Sequence, residues 1–301
     1  MKKIVVLGST NTDMVITGKR IPVPGETVSG GSFMMNPGGK GANQAVAVAR
    51  LSAKRGACTF IAKVGDDLFG RESAVRLKRD GIVPRLVIDR KNASGTALIL
   101  VDARGRNCIS VALGANGTLS PADVRPFADD IRSAAALVMQ LETPIETVLF
   151  AAETAHAAGV MVVLNPAPAA KLPAKLFKCI DWITPNETEA ELLTGVKVVD
   201  RASADKAAAA LRRRGVKHVA ITLGAKGCYA DGAVYPSVKV KAVDTVAAGD
   251  TFNGAFAVAL VEGLPVPDAV AFAQRAAAIS VTRPGAQSSV PSRGEVEGLK
   301  G

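Results

Sequence analysis

Aromatic residues are scarce in this chain: one Trp, two Tyr and nine Phe, 4% of 301 residues. Proteins that hold single-stranded nucleic acid stack bases on aromatic platforms. The scarcity therefore argues against that class, in spite of a formal net charge of +10. The basic residues are spread along helix-like segments, as at Lys206, Arg212, Arg213 and Arg214, and no groove-reading motif is present. The excess charge suits anionic substrates or simple solubility. Cysteine is also sparse. Cys58, Cys108, Cys179 and Cys228 lie far apart, without metal-type spacing. They read as reduced thiols of a cytoplasmic protein. No apolar run approaches a membrane span. Ile4–Leu7, behind Lys2 and Lys3, is too short for a signal-peptide core. The Walker pattern and the dinucleotide fingerprint are both missing. No repeat, linker or low-complexity segment divides the chain, so a single domain over residues 1–301 is expected, with no nucleic-acid or membrane partner.

What is present is an alternation of short β-rich runs and amphipathic helical runs, which predicts an α/β fold. Strands are expected at Ile4–Leu7, Thr59–Val64, Ala136–Leu141, Val160–Leu164, Trp182–Thr184 and His218–Thr222. Helices are expected at Gly41–Leu51, Gly70–Arg79, Ile145–Ala158, Asn186–Leu193, Ala204–Arg214, Gly249–Glu262 and Asp268–Thr282. The rhythm is that of one doubly wound sheet with ligands at the strand C-terminal ends. Two segments break it. Met14–Phe33 reads as extended, punctuated by Pro22, Pro24 and Gly25, and Ser94–Leu113 reads as a hairpin about Arg104-Gly105. Together they predict a small added sheet that closes over a site as a lid or pairs with a second subunit. Arg293–Gly301 reads as a surface tail.

Asp244-Thr245-Val246-Ala247-Ala248-Gly249-Asp250-Thr251-Phe252 is the most informative stretch. Ala247, Ala248 and Gly249 let an anion approach the backbone closely. The periodic Phe252, Ala255, Phe256, Ala259 and Leu260 put those N–H groups at a helix N-terminus, an anion site by geometry and dipole. A carboxylate repels an anion, so Asp250 either takes a proton from a hydroxyl that attacks phosphorus or merely favours the first helical turn.

Most other candidates follow predicted strand ends. Asn11 and Asp13 can hydrogen-bond the hydroxyls of a small polyol, or form an Asx-turn. Lys40 and Asn43, on the glycine-rich entry Pro37–Gly41, suit a hydroxylated ligand. Glu142 ends a strand where a ligand contact fits. Asn186 and Glu189 share a helix face, as a helix cap and as a hold on the water shell of Mg²⁺ beside a nucleotide. Thr222-Leu223-Gly224-Ala225-Lys226-Gly227 suits a nucleotide phosphate or ribose, or a hairpin turn. Loop carbonyls and a Ser hydroxyl in Arg283–Ser289 could hold a monovalent cation with Asp244.

Two signatures, Gly38-Gly39-Lys40-Gly41-Ala42-Asn43-Gln44-Ala45 and Asp244 through Gly254, resemble those of the phosphofructokinase B-type carbohydrate kinase family. Met139–Glu142, Asn165–Ala169 and Thr184–Glu191 extend the resemblance along essentially the whole chain. It implies a three-layer α/β/α fold with a small β-sheet lid from segments at about 12–34 and 94–113. It implies phosphorylation of D-ribose by ATP at the 5-hydroxyl, with Asp250 as base and Ala247, Ala248 and Gly249 as anion hole. Asn11, Asp13, Gly39, Lys40, Asn43 and Glu142 would hold the sugar. Asn186, Thr222–Gly227, Gly249 and Gln274 would contact ATP, and Glu189 would act on Mg²⁺ through water. Asp244, Val246, Ser280, Arg283, Gly285 and Ser289 would form an activating K⁺ site. The lid sheet would form a homodimer. Gln274 stands where the family often has His near the adenine, and Ser280 where Ala is commoner. A 2-deoxyribose kinase and a non-catalytic sugar sensor are the competing readings; the presence of Asp250 argues against the sensor.

Overall fold

The structure is a computed structural model that describes residues 3–299. Its strands, in chain order, are β1 (Ile4–Leu7), β2 (Asn11–Thr17), β3 (Ser32–Gly38), β4 (Cys58–Gly65), β5 (Val83–Asp89), β6 (Gly95–Val101) and β7 (Asn107–Ala112). They continue as β8 (Ala136–Met139), β9 (Met161–Leu164), β10 (Trp182–Ile183), β11 (His218–Thr222), β12 (Cys228–Ala230) and β13 (Ala233–Tyr235). The helices are α1 (Lys40–Leu51), α2 (Leu68–Arg79), α3 (Pro121–Val124), α4 (Ala128–Arg132), α5 (Ile145–Ala157) and α6 (Ala174–Phe177). After them come α7 (Glu187–Thr194), α8 (Arg201–Arg213), α9 (Ala248–Glu262), α10 (Val266–Ser280) and α11 (Arg293–Gly298).

The large sheet has the order β13-β12-β11-β10-β9-β8-β1-β4-β5. It is parallel from β11 to β5, and β12 and β13 add an antiparallel edge. Strands buried on both faces must be apolar throughout, and β1 and β8 are buried at every position. Side chains alternate between the faces. Ile4 and Val6 pack in one core with residues of α1, α9 and α10, while Val5 and Leu7 pack in the other with residues of α5 and α8. That is the expected three-layer arrangement. From β1 the chain runs out to β4 and β5, then returns to β8 on the other side of β1. The reversal opens a crevice beyond the C-terminal ends of β1 and β8.

Helices α1 and α9 meet closely in front of this crevice. A Cβ on Gly254 would lie 2.5 Å from Cβ of Ala47 and 2.9 Å from the carbonyl oxygen of Gln44. The aromatics concentrate behind them: Phe256 meets Trp182 edge-on at 5.0 Å, and Trp182 stacks on His218 at 4.6 Å.

The second sheet has the order β3-β2-β6-β7. Its apolar residues Ile16, Phe33, Met34, Leu98, Ile109 and Val111 are exposed. By register Ile16, Phe33 and Leu98 share one face and Met34, Ile109 and Val111 the other; so many exposed apolar side chains on one small sheet are unusual on an unpartnered surface. No helix among the described residues is long and apolar enough to cross a membrane.

Four expectations need correction. The Met14–Phe33 segment is two strands separated by a long turn, and they reach beyond it, to Asn11 and Gly38. β5 and the edge strand β13 were not anticipated; β5 carries Pro84 and Arg85, which interrupt an apolar run. The second closing helix, α10, begins at Val266, because Pro265 and Pro267 start it two residues earlier than its apolar period indicates. Arg293–Gly301 is not a bare tail: Ser292 caps α11, and Val296 is fully buried. Lys300 and Gly301 lie outside the described residues, as does Lys2.

Gly254→Ala is expected to lower the unfolding free energy by about 1–3 kcal/mol, the usual range for overpacking. Urea denaturation checks it; an unchanged midpoint would mean that α1 and α9 separate without cost.

Candidate active site

The crevice is lined from the strand ends inward. After β1, the turn Gly8–Thr10 receives the start of α1 at very short range. A Cβ on Gly41 would lie 2.5 Å from the Ser9 nitrogen, and one on Gly39, at φ +88°, 2.8 Å from the Asn11 nitrogen. The glycine run is thus a steric requirement of helix against turn. Asp13 lies over it: a Cβ on Gly38 would sit 2.2 Å from Oδ2 of Asp13.

Asn11 is buried at the root of β2. Its Oδ1 accepts from Nδ2 of Asn116 at 2.8 Å, which leaves its NH₂ group to serve a ligand. Asn116 also accepts from Thr10 N–H at 3.0 Å and donates to the Thr10 carbonyl at 3.1 Å. Glu142 reaches across from β8. Its Oε2 accepts from the Ser9 hydroxyl at 2.5 Å and from the Lys40 N–H at 3.0 Å. Glu142 therefore caps α1, a second role beside the expected ligand contact. Burial, with Glu142 nearby, pushes the Asp13 carboxyl up to about 6.

The start of α9 is different. Ala247, its N-cap, has φ +58° and no side chain caps the helix. A non-glycine residue in this left-handed region costs on the order of 1–2 kcal/mol. Thr251 N–H bonds to the Ala247 carbonyl at 2.8 Å, so the helix proper closes; of the N–H groups ahead of it, that of Ala248 makes a long bond to the Thr245 carbonyl at 3.3 Å, and none has a partner one helical turn back. A Cβ on Gly249 would meet nothing within 4 Å, so the space beside it is open. Asp250 sits in the first turn and is buried. Its Oδ2 accepts from Nδ2 of Asn43 at 2.9 Å and its Oδ1 from Nε2 of Gln44 at 3.0 Å. Burial raises its pKa above the ordinary carboxylate value; Lys40 and the two amide donors pull the other way. A carboxylate so shifted is a better proton acceptor than a solvated one. Asn43 turns its NH₂ group to Asp250, and its Oδ1 is buried without a partner.

Across the crevice, Asn186 and Glu189 form the expected capping box. Asn186 Oδ1 accepts from Glu189 N–H at 2.8 Å, and Glu189 Oε2 from Asn186 N–H at 2.9 Å. Burial raises the Glu189 carboxyl, and Lys40 and Asp250 both act on it electrostatically. Asn186 bridges to Thr222 at the adjacent strand end. The Thr222–Gly227 segment is a hairpin turn with a 3₁₀ turn at Gly224–Lys226; Leu223 N–H bonds to the Gly227 carbonyl at 2.8 Å. Gln274 donates to the Tyr235 carbonyl at 2.9 Å, which commits one of its amide hydrogens.

Asp244, Val246, Ser280, Arg283, Gly285 and Ser289 come together in a clasp ahead of α9. Asp244 accepts from Val246 N–H at 3.0 Å and from Gly285 N–H at 2.9 Å, and its own N–H bonds to the Val281 carbonyl. Ser280 and Ser289 are fully buried there, whereas the Arg283 side chain turns away to Glu295.

Sequence reasoning missed Gln44, Asn116, Gln140, Asn165 and Asn253 as site residues. Gln140 and Asn165 are the first residues beyond β8 and β9, the positional signal that found Glu142 and Asn186. Asn116 carries no such signal.

The pfkB family carbohydrate kinase model matches residues 1–293. A ribokinase of Haemophilus influenzae is 46% identical over 299 residues, covering 98% of this chain and 97% of that protein. A deoxyribokinase of Salmonella typhi is 40% identical over 295 residues, covering 96% and 95%. The structure of an Arabidopsis thaliana ribokinase complexed with ribose and ATP matches at a TM-score of 0.90 and 32% identity, covering 98% of this chain and 97% of that one.

Asp13 gives this site a pH signature. Its carboxyl binds a proton more tightly in the folded chain, about 6 against 3.8, so its stabilising effect is complete below 3.8 and is lost as pH rises through 6. Asp13→Asn is expected to flatten the fall in unfolding free energy across that window. Denaturation at several pH values reads it; an unaltered slope would show that Asp13 titrates normally.

Proposed function

The chain belongs to the pfkB family of carbohydrate kinases, and from that premise we propose that it transfers the terminal phosphoryl group of ATP to the 5-hydroxyl of D-ribose. The observation that carries this is the buried Asp250 in the first turn of a helix without a side-chain cap, in a chain 46% identical to a ribokinase over nearly its full length.

The sugar lies between the β1 turn and α1. Asn11 donates from its NH₂ group, and Asp13 and Glu142 accept from hydroxyls. Gly39 gives the sugar room, while Lys40 and Asn43 reach it from the first turn of α1. Asn186, Thr222–Gly227 and Gln274 hold the nucleotide, with Gly249 against its phosphates. Asp250 takes the proton of the 5-hydroxyl as its oxygen bonds to phosphorus, and the bond from phosphorus to the β,γ-bridging oxygen breaks to release ADP. The N–H groups of the Ala247–Gly249 turn meet the charge on the transferring group, where preorganised donors are most effective.

The buried Glu189 carboxyl, its pKa raised by burial and with Lys40 and Asp250 nearby, fits a divalent cation held through water; Mg²⁺ bound with ATP would neutralise phosphate charge there. The clasp around Asp244 offers oxygen donors alone, which fit K⁺; that ion would steady the turn leading into α9. The exposed apolar residues of the four-stranded sheet support a lid that pairs with a second copy in a homodimer. The four free cysteines accord with a cytoplasmic location. The deoxyribokinase relative supports 2-deoxyribose as the rival substrate, separated from ribose by one hydroxyl contact.

ADP release with Mg-ATP is expected to be fastest on D-ribose among ribose, 2-deoxyribose, fructose and adenosine, and faster in K⁺ than in Na⁺. Preference for another sugar would overturn the substrate, and binding of ribose without turnover would make the chain a sensor. Asp250→Asn should keep sugar binding while kcat drops roughly 10²–10⁴-fold; near-normal turnover would remove the base. Gly249→Val fills the open space beside the turn, and its expected loss is about 3 kcal/mol in kcat/KM. Normal kinetics in that variant would remove the anion hole.

A further inference from the structure

We propose that Gln44 is a positioning residue for this reaction, orienting the Asp250 carboxylate through a buried chain of amides that joins the sugar side of the crevice to the nucleotide side. The inference rests on Asp250 being the base.

Gln44 is fully buried in α1. Its Nε2 donates to Asp250 Oδ1 at 3.0 Å and to Asn165 Oδ1 at 3.1 Å. Its Oε1 accepts from Nε2 of Gln140 at 2.6 Å. With donors and acceptor all engaged, the amide cannot turn over without losing every bond. The chain then continues. Asn165 Nδ2 donates to the Thr184 carbonyl at 3.1 Å, the Thr184 hydroxyl to Asn253 Oδ1 at 2.5 Å, and Asn253 Nδ2 to the Gly249 carbonyl at 2.8 Å. It thus starts beyond β8, passes the ends of β9 and β10, and returns to the turn that carries the anion hole. All five side chains are at most 7% exposed.

Burying so many polar groups is costly unless they are paired, and along this chain all the side-chain polar atoms are paired except Gln140 Oε1. A position needed only for packing takes Leu or Met without that cost. Here the bonds hold one carboxylate oxygen while Asn43 holds the other. The base is set in its working orientation before substrate arrives, which is where a shift of about 1 Å can cost a hundredfold in rate. The charged groups facing Asp250 are Lys40 on α1, Glu142 beyond β8 and Glu189 on α7. None of their side chains hydrogen-bonds the Gln44 side-chain amide, so its effect is separable from theirs.

Gln44→Met keeps the volume and removes the donors. Its kcat on ribose should fall roughly 10- to 100-fold, with KM for ribose and ATP each within about threefold of the parent. The acid limb of kcat should move to higher pH, because a donor that favours the charged carboxylate is gone. A structural role alone would change melting and KM but leave that limb in place. Gln140→Met, which frees the Gln44 amide without deleting it, should give a smaller loss in kcat in the same direction, and it decides the matter if Gln44→Met does not fold. An unchanged kcat, or an unmoved acid limb, overturns the proposal. Asp250→Asn is measured alongside. If it turns over normally, the base reading falls and the proposal with it. If it is inactive while both glutamine variants are normal, only the positioning role falls.

Discussion

A helix start without a side-chain cap leaves backbone donors that need a partner, and two such starts face one crevice here. Neither α1 nor α9 has a side chain of its own in the capping position. At α1 the vacancy is filled from across the sheet by Glu142. At α9 only a long bond from the Ala248 N–H to the Thr245 carbonyl intervenes, and Gly249 keeps the approach clear. One dipole is therefore spent on holding the β1 turn and β8 side together, and the other is free for the anion proposed to bind there. The rest of the site is arranged around that difference.

The difference requires that backbone segments come unusually close. Gly39 and Gly41 let α1 seat on the β1 turn, and Gly254 lets α9 lie against α1. Only then do Asn43 and Gln44 of α1 reach Asp250 of α9. The topology supplies the other half. Because the chain reverses beside β1, the residues after β8 meet those after β1, and Glu142 can reach Ser9 and Lys40.

Two opposing electrostatic effects meet at Asp250. Burial disfavours its charge, while Lys40 and two amide donors favour it. Since the amides are neutral, they hold the carboxylate in place without quenching it as a direct ion pair would. In the role of base proposed for it, a carboxylate held by neutral donors and poorly solvated is suited to taking a hydroxyl proton as phosphorus is attacked.

The sequence alone determined the layered α/β class, most of the central strands and the start of α9, because apolar periodicity and helix-start chemistry are local properties. Asp250, Asn186 and Glu142 were legible for the same reason: each stands where a periodic element begins or ends. The tertiary structure decided what these groups touch. Asn116 lies 105 residues from the Asn11 it fixes, and Glu142 lies 102 residues from the N–H it caps. It also turned the expected tail into a helix, by giving Val296 a core to enter. Hydrogen-bond partners so far apart leave no period in the sequence; they are chosen only when the sheet order brings their strand ends together.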